Sequence, residues 1–398
     1  MLFLRDLIQI ELINKEWRYN VMNSRVDFIY LNEQEMIQAG VKDMGTCIDS
    51  IEDMFRLLHR GDYRMGGENA NEHGIRVSFP KKSDIEGMPT HKPDFRFMAM
   101  PAYLGGRFKV FGIKSYGSNP DNIQKGLPRS ILMMQLMDAK TGAPLAYMSA
   151  NILSAMRTGA TVGVGARRLS IKSPETVAII GPGTLSRYTM DAFLSEYLTI
   201  ETVKIKGRSQ KGIDSFLRYC KENYPTIKKY VICDEIQDAC KDADIIFFGT
   251  TNASKYEDNP IIRRNWIKKG ALIIAASALL VDTKILSDKD VKLVADNYTM
   301  YEEWGKGEVL PTQKNVSTLL GMGFYDAVMG GKISRDSITD IGEILNDEKK
   351  GRDNENQIIF YAVGGMPIED VAWGYDVYKN ALDKGIGTKL NVWEIPAL

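Results

Sequence analysis

The segment from residue 175 to 186 constrains the fold of this chain most, because it joins an apolar run to a helix through a glycine turn. Residues 177–180 are typical of a parallel strand buried on both faces, and apolar side chains at helical spacing follow the turn. Such a turn directs the backbone N–H groups at the start of a helix towards a pyrophosphate. An ordinary strand-to-helix turn is the alternative interpretation. The pattern predicts a dinucleotide site formed by Gly181, Gly183, Thr184 and Leu185.

Composition excludes several classes of function. The chain has 398 residues, enough for two domains, and its 51 basic residues balance 51 acidic ones. This balance gives no support to nucleic-acid binding or to an anionic membrane partner. We expect no membrane span, because no apolar run is long enough, and no signal peptide. Four scattered cysteines without a C-x-x-C pair favour a reducing, cytoplasmic setting, and three histidines without metal-ligand spacing predict no metal site.

The order of the predicted elements divides the chain into two parts. Strands predict a mostly antiparallel sheet within the first 150 residues, at 27–31, 97–100, 109–115, 131–137 and 145–149. From residue 175 onward, strands alternate with helices and predict a parallel, doubly wound sheet, at 177–180, 202–206, 231–233, 245–249, 271–276 and 291–295. Beyond about residue 315 the pattern is helical, and we expect no further strand–helix unit there. The first 26 residues predict an amphipathic helix followed by a turn.

The end of the second strand of the parallel sheet indicates which nicotinamide cofactor binds. NAD-preferring folds usually place an acidic residue there, but this chain has Gly207 followed by Arg208 and Ser209. Arg208 and Ser209 can bind a 2′-phosphate, so we predict NADP, with NAD as second choice. A solvent-facing loop arginine is the alternative interpretation. Thr250 and Ser277, which follow the predicted strands at 245–249 and 271–276, complete the predicted cofactor-binding set.

Three basic residues of the first part are candidates for binding an anion. Arg76 and Lys114 lie near or in predicted strands, and Arg157 lies among small apolar residues of a helix that should be buried. A buried arginine needs an anionic partner, and a substrate carboxylate would fit its paired N–H groups. An internal salt bridge is the alternative for each. A desolvated Lys114 beside arginines could also move protons, which makes it the candidate catalytic residue.

Several runs of residues resemble one known family in order and spacing. They are Gly106 to Lys114, Asn119-Pro120 with Gly126-Leu127-Pro128, Asp138 to Ala146, Ser154 to Ala160, and the glycine turn. Together they resemble the ornithine cyclodeaminase/mu-crystallin family. The resemblance implies an α/β chain in which a Rossmann domain, residues 156–330, is inserted into an α+β domain formed by residues 1–155 and 331–398. It implies that the α+β domain binds an amino-acid substrate and forms a homodimer. It also implies that Arg76, Lys114 and Arg157 hold the substrate α-carboxylate.

Two departures from the family pattern bear on the reaction. Cyclodeaminases of this family have an acid at the positions of Met98 and Leu279, so ornithine cyclisation is disfavoured. The chain is more similar to the branch that oxidatively cleaves N-(2-amino-2-carboxyethyl)-L-glutamate, through Arg96 to Pro101, Arg129, Pro367 to Asp370 and Gly385 to Asn391. The resemblance therefore implies a nicotinamide-dependent oxidoreductase that acts on the Cα–N bond of an amino acid or N-substituted amino acid through an imine. A cyclodeaminase with recycled cofactor and a non-catalytic, NADP-dependent binding protein of mu-crystallin type stay open as alternatives.

Overall fold

The computed structural model describes residues 24–92 and 94–397. The predicted helix at the start of the chain therefore lies almost wholly outside the described residues. The strands are β1 (Val26–Leu31), β2 (Tyr63–Met65), β3 (Ile75–Val77), β4 (Arg96–Leu104), β5 (Val110–Ser118), β6 (Ser130–Asp138), β7 (Pro144–Ser149), β8 (Thr176–Ile180), β9 (Thr202–Lys206), β10 (Lys229–Ile232), β11 (Ile245–Phe248), β12 (Ile261–Ile262), β13 (Leu272–Ala275), β14 (Leu280–Val281), β15 (Val291–Ala295), β16 (Ile338–Asp340), β17 (Ile358–Ala362) and β18 (Thr388–Trp393).

The α-helices are α1 (Glu33–Gln38), α2 (Met44–His59), α3 (Asn151–Leu169), α4 (Thr184–Glu196), α5 (Gln210–Asn223), α6 (Ile236–Cys240), α7 (Thr283–Leu286), α8 (Tyr298–Gly305), α9 (Thr312–Asn315), α10 (Leu320–Met329), α11 (Ile341–Leu345) and α12 (Pro367–Asp383). Short 3₁₀ helices cover Pro120–Lys125, Tyr256–Asp258, Arg264–Trp266 and Arg335–Ser337. Local signals fix several starts. At α1, the Asn32 side chain accepts from the Glu35 amide at 3.0 Å, and the Glu35 carboxylate accepts from the Asn32 amide at 2.8 Å, which is a capping box.

The first sheet has the order β18-β1-β7-β6-β5-β4-β2, with β3 beside β4. Neighbouring strands are antiparallel except β1 and β7, which confirms the predicted, mostly antiparallel sheet. Helix α12 packs on one face, where a Cβ at Gly112 of β5 would lie 2.8 Å from Val371 Cγ2. The opposite face exposes large apolar side chains, at Ile75, Val77, Phe97, Phe111, Ile131 and Tyr147. The sheet therefore has one packed face and one exposed apolar face.

The second sheet is parallel throughout, in the order β10-β9-β8-β11-β13-β17-β15-β16. The chain enters this sheet in the middle, at β8, adds β9 and β10 on one side, and then adds β11 and β13 on the other. This is the pattern of a doubly wound Rossmann sheet. The predicted α/β fold class is confirmed. In such sheets ligands bind outside the carboxyl ends of the strands, where the strand order reverses.

The prediction that no further strand–helix unit follows residue 315 is wrong. Strands β16 and β17 both join the second sheet, and β17 lies between β13 and β15. The Ile358–Ala362 run is buried at all five positions, but it is too short to be distinguished from a buried helix segment by periodicity. After β17 the chain returns to the first sheet with α12 and β18, and the domain boundaries themselves stay a prediction.

Helix α3 connects the two sheets, and it is the buried helix that the sequence predicts around Arg157. It is rich in small residues, and its interior is buried. At Gly159 an added Cβ would lie 2.7 Å from the backbone oxygen of Tyr188 in α4. The absence of a side chain at this position thus allows α3 and the helix after the glycine turn to touch backbone to backbone.

Candidate active site

The glycine turn between β8 and α4 presents an open helix start. Gly181 has φ +91°, and a Cβ there would lie 2.9 Å from backbone atoms of Gly249 and Thr250. Such a conformation and such a close approach both require glycine. Gly183 is the N-cap of α4, no side chain in the described part of the chain caps it, and the position of a Cβ on it is open. The first N–H groups of α4 are thus available to an anionic group.

The other predicted cofactor residues lie at the carboxyl ends of neighbouring strands. The Thr250 amide donates to Ser277 Oγ at 3.0 Å, and that hydroxyl donates to the Phe248 carbonyl at 3.0 Å. Arg208 is exposed beyond β9 and donates to Thr251 Oγ1 at 2.7 Å. Ser209 caps α5. The structure brings the predicted set together around the turn, and its role in binding a cofactor stays a prediction.

Lys114 and Arg157 lie in one buried cluster with two carboxylates from the first turn of α12. The Lys114 ammonium donates to Asp370 Oδ2 at 2.6 Å and to Ser154 Oγ at 3.1 Å. The Arg157 guanidinium donates from Nε to Asp370 Oδ1 at 3.0 Å and from Nη1 to Glu369 Oε2 at 2.7 Å. The internal salt bridge that the sequence left open as an alternative is thus present for both residues, and it also holds the two cations side by side.

The electrostatics of this cluster distinguish the lysine from the arginine. Burial, with the help of Arg157, lowers the pKa of Lys114 to about 8. Burial alone would lower the pKa of Arg157, but Asp370 and Glu369 outweigh it and hold that pKa above its ordinary value. Burial also raises the pKa of Glu369, against the effect of Arg157. Lys114 can therefore exchange a proton near neutral pH, whereas Arg157 keeps its charge.

Arg76 does not join this cluster. It lies in β3, its side chain is exposed, and it makes no ion pair or side-chain hydrogen bond with any residue that the structure describes. The register places it opposite Met98 of β4, which is opposite Tyr116 of β5, two positions from Lys114. Cross-strand partners share a face of a sheet, so Arg76 lies on the face that carries Lys114. A direct role in anion binding stays a prediction.

Four residues that sequence reasoning did not assign to the site surround the two cations. Glu369 and Asp370 are fully buried. Asp296 follows β15, is fully buried, and accepts from the amides of Gly364 at 2.6 Å and Gly365 at 3.2 Å. The fourth is His73, whose Nδ1 lies 2.9 Å from the Gly365 carbonyl oxygen.

Burial, followed by the charge of Glu369, raises the pKa of Asp296 to about 7. The sequence contains one signal for the missed carboxylates. Glu369 and Asp370 are adjacent and lie among apolar residues at the start of α12, where acidic side chains are not expected unless they have partners.

The two departures from the cyclodeaminase pattern leave no acid at either position. Met98 lies in β4 beside Arg76, and Leu279 is fully buried, with its carbonyl accepting from Gln313 Nε2 at 2.8 Å. Within residues 24–92 and 94–397, no group of three or more His, Cys, Asp or Glu side chains could hold a metal ion. In the same part of the chain, no helix combines the length and apolar character needed to cross a bilayer.

Comparison with known proteins gives relatives of almost the full length. An N-((2S)-2-amino-2-carboxyethyl)-L-glutamate dehydrogenase of Staphylococcus aureus is 26% identical over 371 residues, which cover 92% of this chain and 99% of that protein. An alanine dehydrogenase of Archaeoglobus fulgidus is 29% identical over 368 residues, which cover 91% of this chain and 98% of that protein.

A solved structure of an archaeal alanine dehydrogenase dimer with bound NAD superposes with a TM-score of 0.72 at 25% identity, covering 92% of this chain and all of that one. The structure of a Δ¹-pyrroline-2-carboxylate reductase of Thermococcus litoralis shares the fold, with a TM-score of 0.71 at 24% identity over 91% of this chain and 99% of that one. The model of the ornithine cyclodeaminase/mu-crystallin family matches residues 41–385. The chain belongs to the ornithine cyclodeaminase/mu-crystallin family.

Proposed function

We propose that this protein is a nicotinamide-dependent oxidoreductase that acts on the Cα–N bond of an amino acid or an N-substituted amino acid through an imine. The observation that carries the proposal is the buried pair of Lys114, in β5, and Arg157, on α3, because the backbone of α3 touches the helix of the glycine turn. The two relatives of almost full length named above are dehydrogenases of an amino acid and of an N-substituted amino acid, which supports the same reaction class.

The open start of α4 and the backbone cradle at Gly181 fit a dinucleotide. A nicotinamide bound there supplies hydride transfer to and from the substrate Cα. Arg157 and Lys114 hold the substrate carboxylate, which fixes Cα in one place, and this positioning supplies much of the catalysis. As the Cα–N single bond becomes an imine, the nitrogen loses one proton. Lys114 is suited to exchange that proton with solvent because its pKa lies near neutral pH.

The charges of the cluster indicate why a third cation is needed. Lys114 and Arg157 are balanced by Asp370 and Glu369, so the carboxylate of a substrate whose nitrogen is neutral, as it is before hydride leaves Cα, would bring an uncompensated negative charge into a buried place. Arg76 lies on the same sheet face, and its guanidinium has no described partner. We propose that Arg76 moves onto the substrate carboxylate on binding and completes the charge balance.

Cyclodeamination and ligand binding without turnover are less well supported. Met98 and Leu279 offer no carboxylate to hold a distal amine or to take its proton, and these roles belong to cyclodeamination. A binding protein needs a carboxylate clamp but has no need of a lysine with a pKa near neutrality.

A panel of amino acids tests the proposed function through net cofactor reduction. We expect turnover of a plain or N-carboxyalkyl amino acid, with ornithine a poor substrate. Arg157→Ala should lower kcat/KM by at least about a hundredfold, since it leaves a buried substrate charge unpaired. Arg157→Lys keeps the positive charge beside Glu369 and Asp370, so it distinguishes a loss of substrate binding from a loss of folded structure. Arg167→Ala is the control on the same helix, because that arginine pairs with Glu196 away from the cluster. Conversion of ornithine to proline without net cofactor reduction would instead identify a cyclodeaminase.

We propose further that NADP is preferred over NAD. The second strand of the Rossmann sheet, β9, is not followed by an acidic residue. Arg208 donates to Thr251 from one guanidinium nitrogen, and its other N–H groups can bind a phosphate. The archaeal alanine dehydrogenase dimer binds NAD, so the proposed preference for NADP rests on this chain's own residues alone.

We also propose that the protein is a cytoplasmic homodimer. The first sheet exposes Ile75, Val77, Phe97 and Ile131 at 65%, 54%, 50% and 47% of their surfaces. A second copy covering this face would bury them, and contiguous apolar patches of this kind mark association surfaces. The four cysteines are free thiols, in keeping with a reducing compartment.

A further inference from the structure

His73 lies in the segment between β2 and β3, and its hydrogen bond determines which ring nitrogen is free. Its Nδ1 lies 2.9 Å from the carbonyl oxygen of Gly365. A carbonyl can only accept, so Nδ1 carries the hydrogen, and Nε2 of the neutral ring carries an accepting lone pair. Lys114 and Arg157 together are called the clamp. Gly365 adjoins it, because a Cβ there would lie 2.7 Å from Arg157 Nη1.

The neighbours of His73 connect it to residues that adjoin Arg157 and Lys114. A Cβ on the next residue, Gly74, would lie 2.9 Å from Met100 Cγ, and Met100 is the cross-strand partner of Lys114. The imidazole meets Trp304 edge-on, with ring centroids 5.7 Å apart. The hydrogen bond to Gly365 and the edge contact with Trp304 hold the ring in place, and the neighbouring Gly74 packs against Met100.

The surroundings keep this imidazole uncharged. Burial, then Lys114 and then Arg157, lower the pKa of His73 to about 4, while the Gly365 carbonyl and Asp370 oppose the shift. At neutral pH the ring is a neutral acceptor beside two cations. It is therefore suited to hold an N–H group rather than to store a proton.

An amino acid bound through its carboxylate needs such an acceptor for the nitrogen on Cα. The buried carboxylates are already engaged: Asp370 by Lys114 and Arg157, and Glu369 by Arg157, Thr161 and the Met366 amide. Building on the proposed function, we propose that His73 Nε2 accepts a hydrogen bond from the substrate's α-nitrogen. His73 is then a substrate-binding residue that selects for a Cα–N–H group.

A comparison of matched ligands tests this role without requiring turnover. The protein with bound reduced cofactor is titrated with L-alanine and propionate, and with L-proline and cyclopentanecarboxylate, and cofactor fluorescence is measured. Each pair shares a carboxylate and differs in the nitrogen. We expect wild type to bind the amino acids more tightly. His73→Phe should weaken amino-acid binding about tenfold, as for one hydrogen bond, and leave the nitrogen-free acids unchanged.

Two further variants separate this role from a structural one. His73→Gln, which keeps an acceptor, should recover part of the loss. His59→Phe is the control, since that histidine pairs with Glu348 elsewhere. Equal losses for both members of a pair, or a wild type that binds the amino acids no more tightly than the acids, would overturn the proposal. A wild type that discriminates but oxidises no amino acid would overturn the proposed function and leave the role of His73 standing.

Discussion

Asp370 is the carboxylate on which the arrangement of the clamp depends most. It is fully buried and bridges the two cations, accepting from Lys114 at 2.6 Å and from Arg157 at 3.0 Å. Asp370→Asn keeps the shape of the side chain and one accepting oxygen, but it removes the negative charge. The variant therefore isolates the electrostatic contribution of this residue.

The structure gives a magnitude for two effects of this change. Leaving a buried ion pair without one partner costs about 3–5 kcal/mol, so we expect the free energy of unfolding to fall by that amount. Asp370 also opposes the lowering of the Lys114 pKa. Without it, burial and Arg157 remain, and the pKa of Lys114 should fall from about 8 by at least about one further unit.

Urea unfolding and the pH profile of kcat/KM measure the two effects separately. In the imine-reducing direction protonated Lys114 both holds the carboxylate and supplies the proton to nitrogen, so kcat/KM is lost as pH rises through its pKa, and this alkaline limb should move to lower pH in the variant. Between about 8 and the ordinary value near 10.5, the unfolded wild type binds more protons at this lysine than the folded protein does. That difference makes stability rise with pH over this window.

Asp376→Asn is the control on the same helix, since Asp376 pairs with the half-exposed Arg107 and should cost only about 1 kcal/mol. An Asp370→Asn variant as stable as this control, with an unmoved alkaline limb, would refute the reasoning.

Three further outcomes are expected. Arg208→Ala should weaken NADP binding by roughly ten- to hundredfold and NAD binding little, as measured by cofactor titration, and equal losses would count against the phosphate contact. Phe97→Asp places a charge in the exposed apolar sheet face and should shift the protein from dimer to monomer in light scattering, whereas a wild type that is already monomeric would dismiss the dimer. Gly181→Ala adds a Cβ 2.9 Å from backbone atoms at φ +91° and should weaken binding of either cofactor at least about tenfold; unchanged affinity would show that the turn does not carry the pyrophosphate.

Local signals allowed much of the fold to be predicted from the sequence. The glycine turn and the alternating strands of the first sheet are each determined by residues that are close together in the chain. Strand β17 was missed because a short run buried on both faces has no distinguishing period. Its place in the second sheet is fixed by pairing with β13 and β15. These pairings join segments far apart in the chain, so the residues of β17 alone do not predict them.

The candidate site was predictable in its cations and not in their partners. A buried arginine requires an anion, and this argument identified Arg157, but it did not say which anion. The structure supplies Glu369, which lies 212 positions later in the chain. His73 was passed over for a related reason, since a lone histidine carries no signal until the fold places it against Gly365.

Helix α3 has a consequence for how proteins with this arrangement can change. Arg157 lies in its first half, and two residues later Gly159 lets α4 approach so closely that an added Cβ would lie 2.7 Å from the backbone oxygen of Tyr188. The distance between the proposed carboxylate site and the proposed pyrophosphate site is thus set by the packing of this one helix. New substrates can be accommodated by exchanging side chains on the sheet face around Met98. A larger residue at position 159 would instead push α4 away from α3 and increase the distance between the two proposed sites.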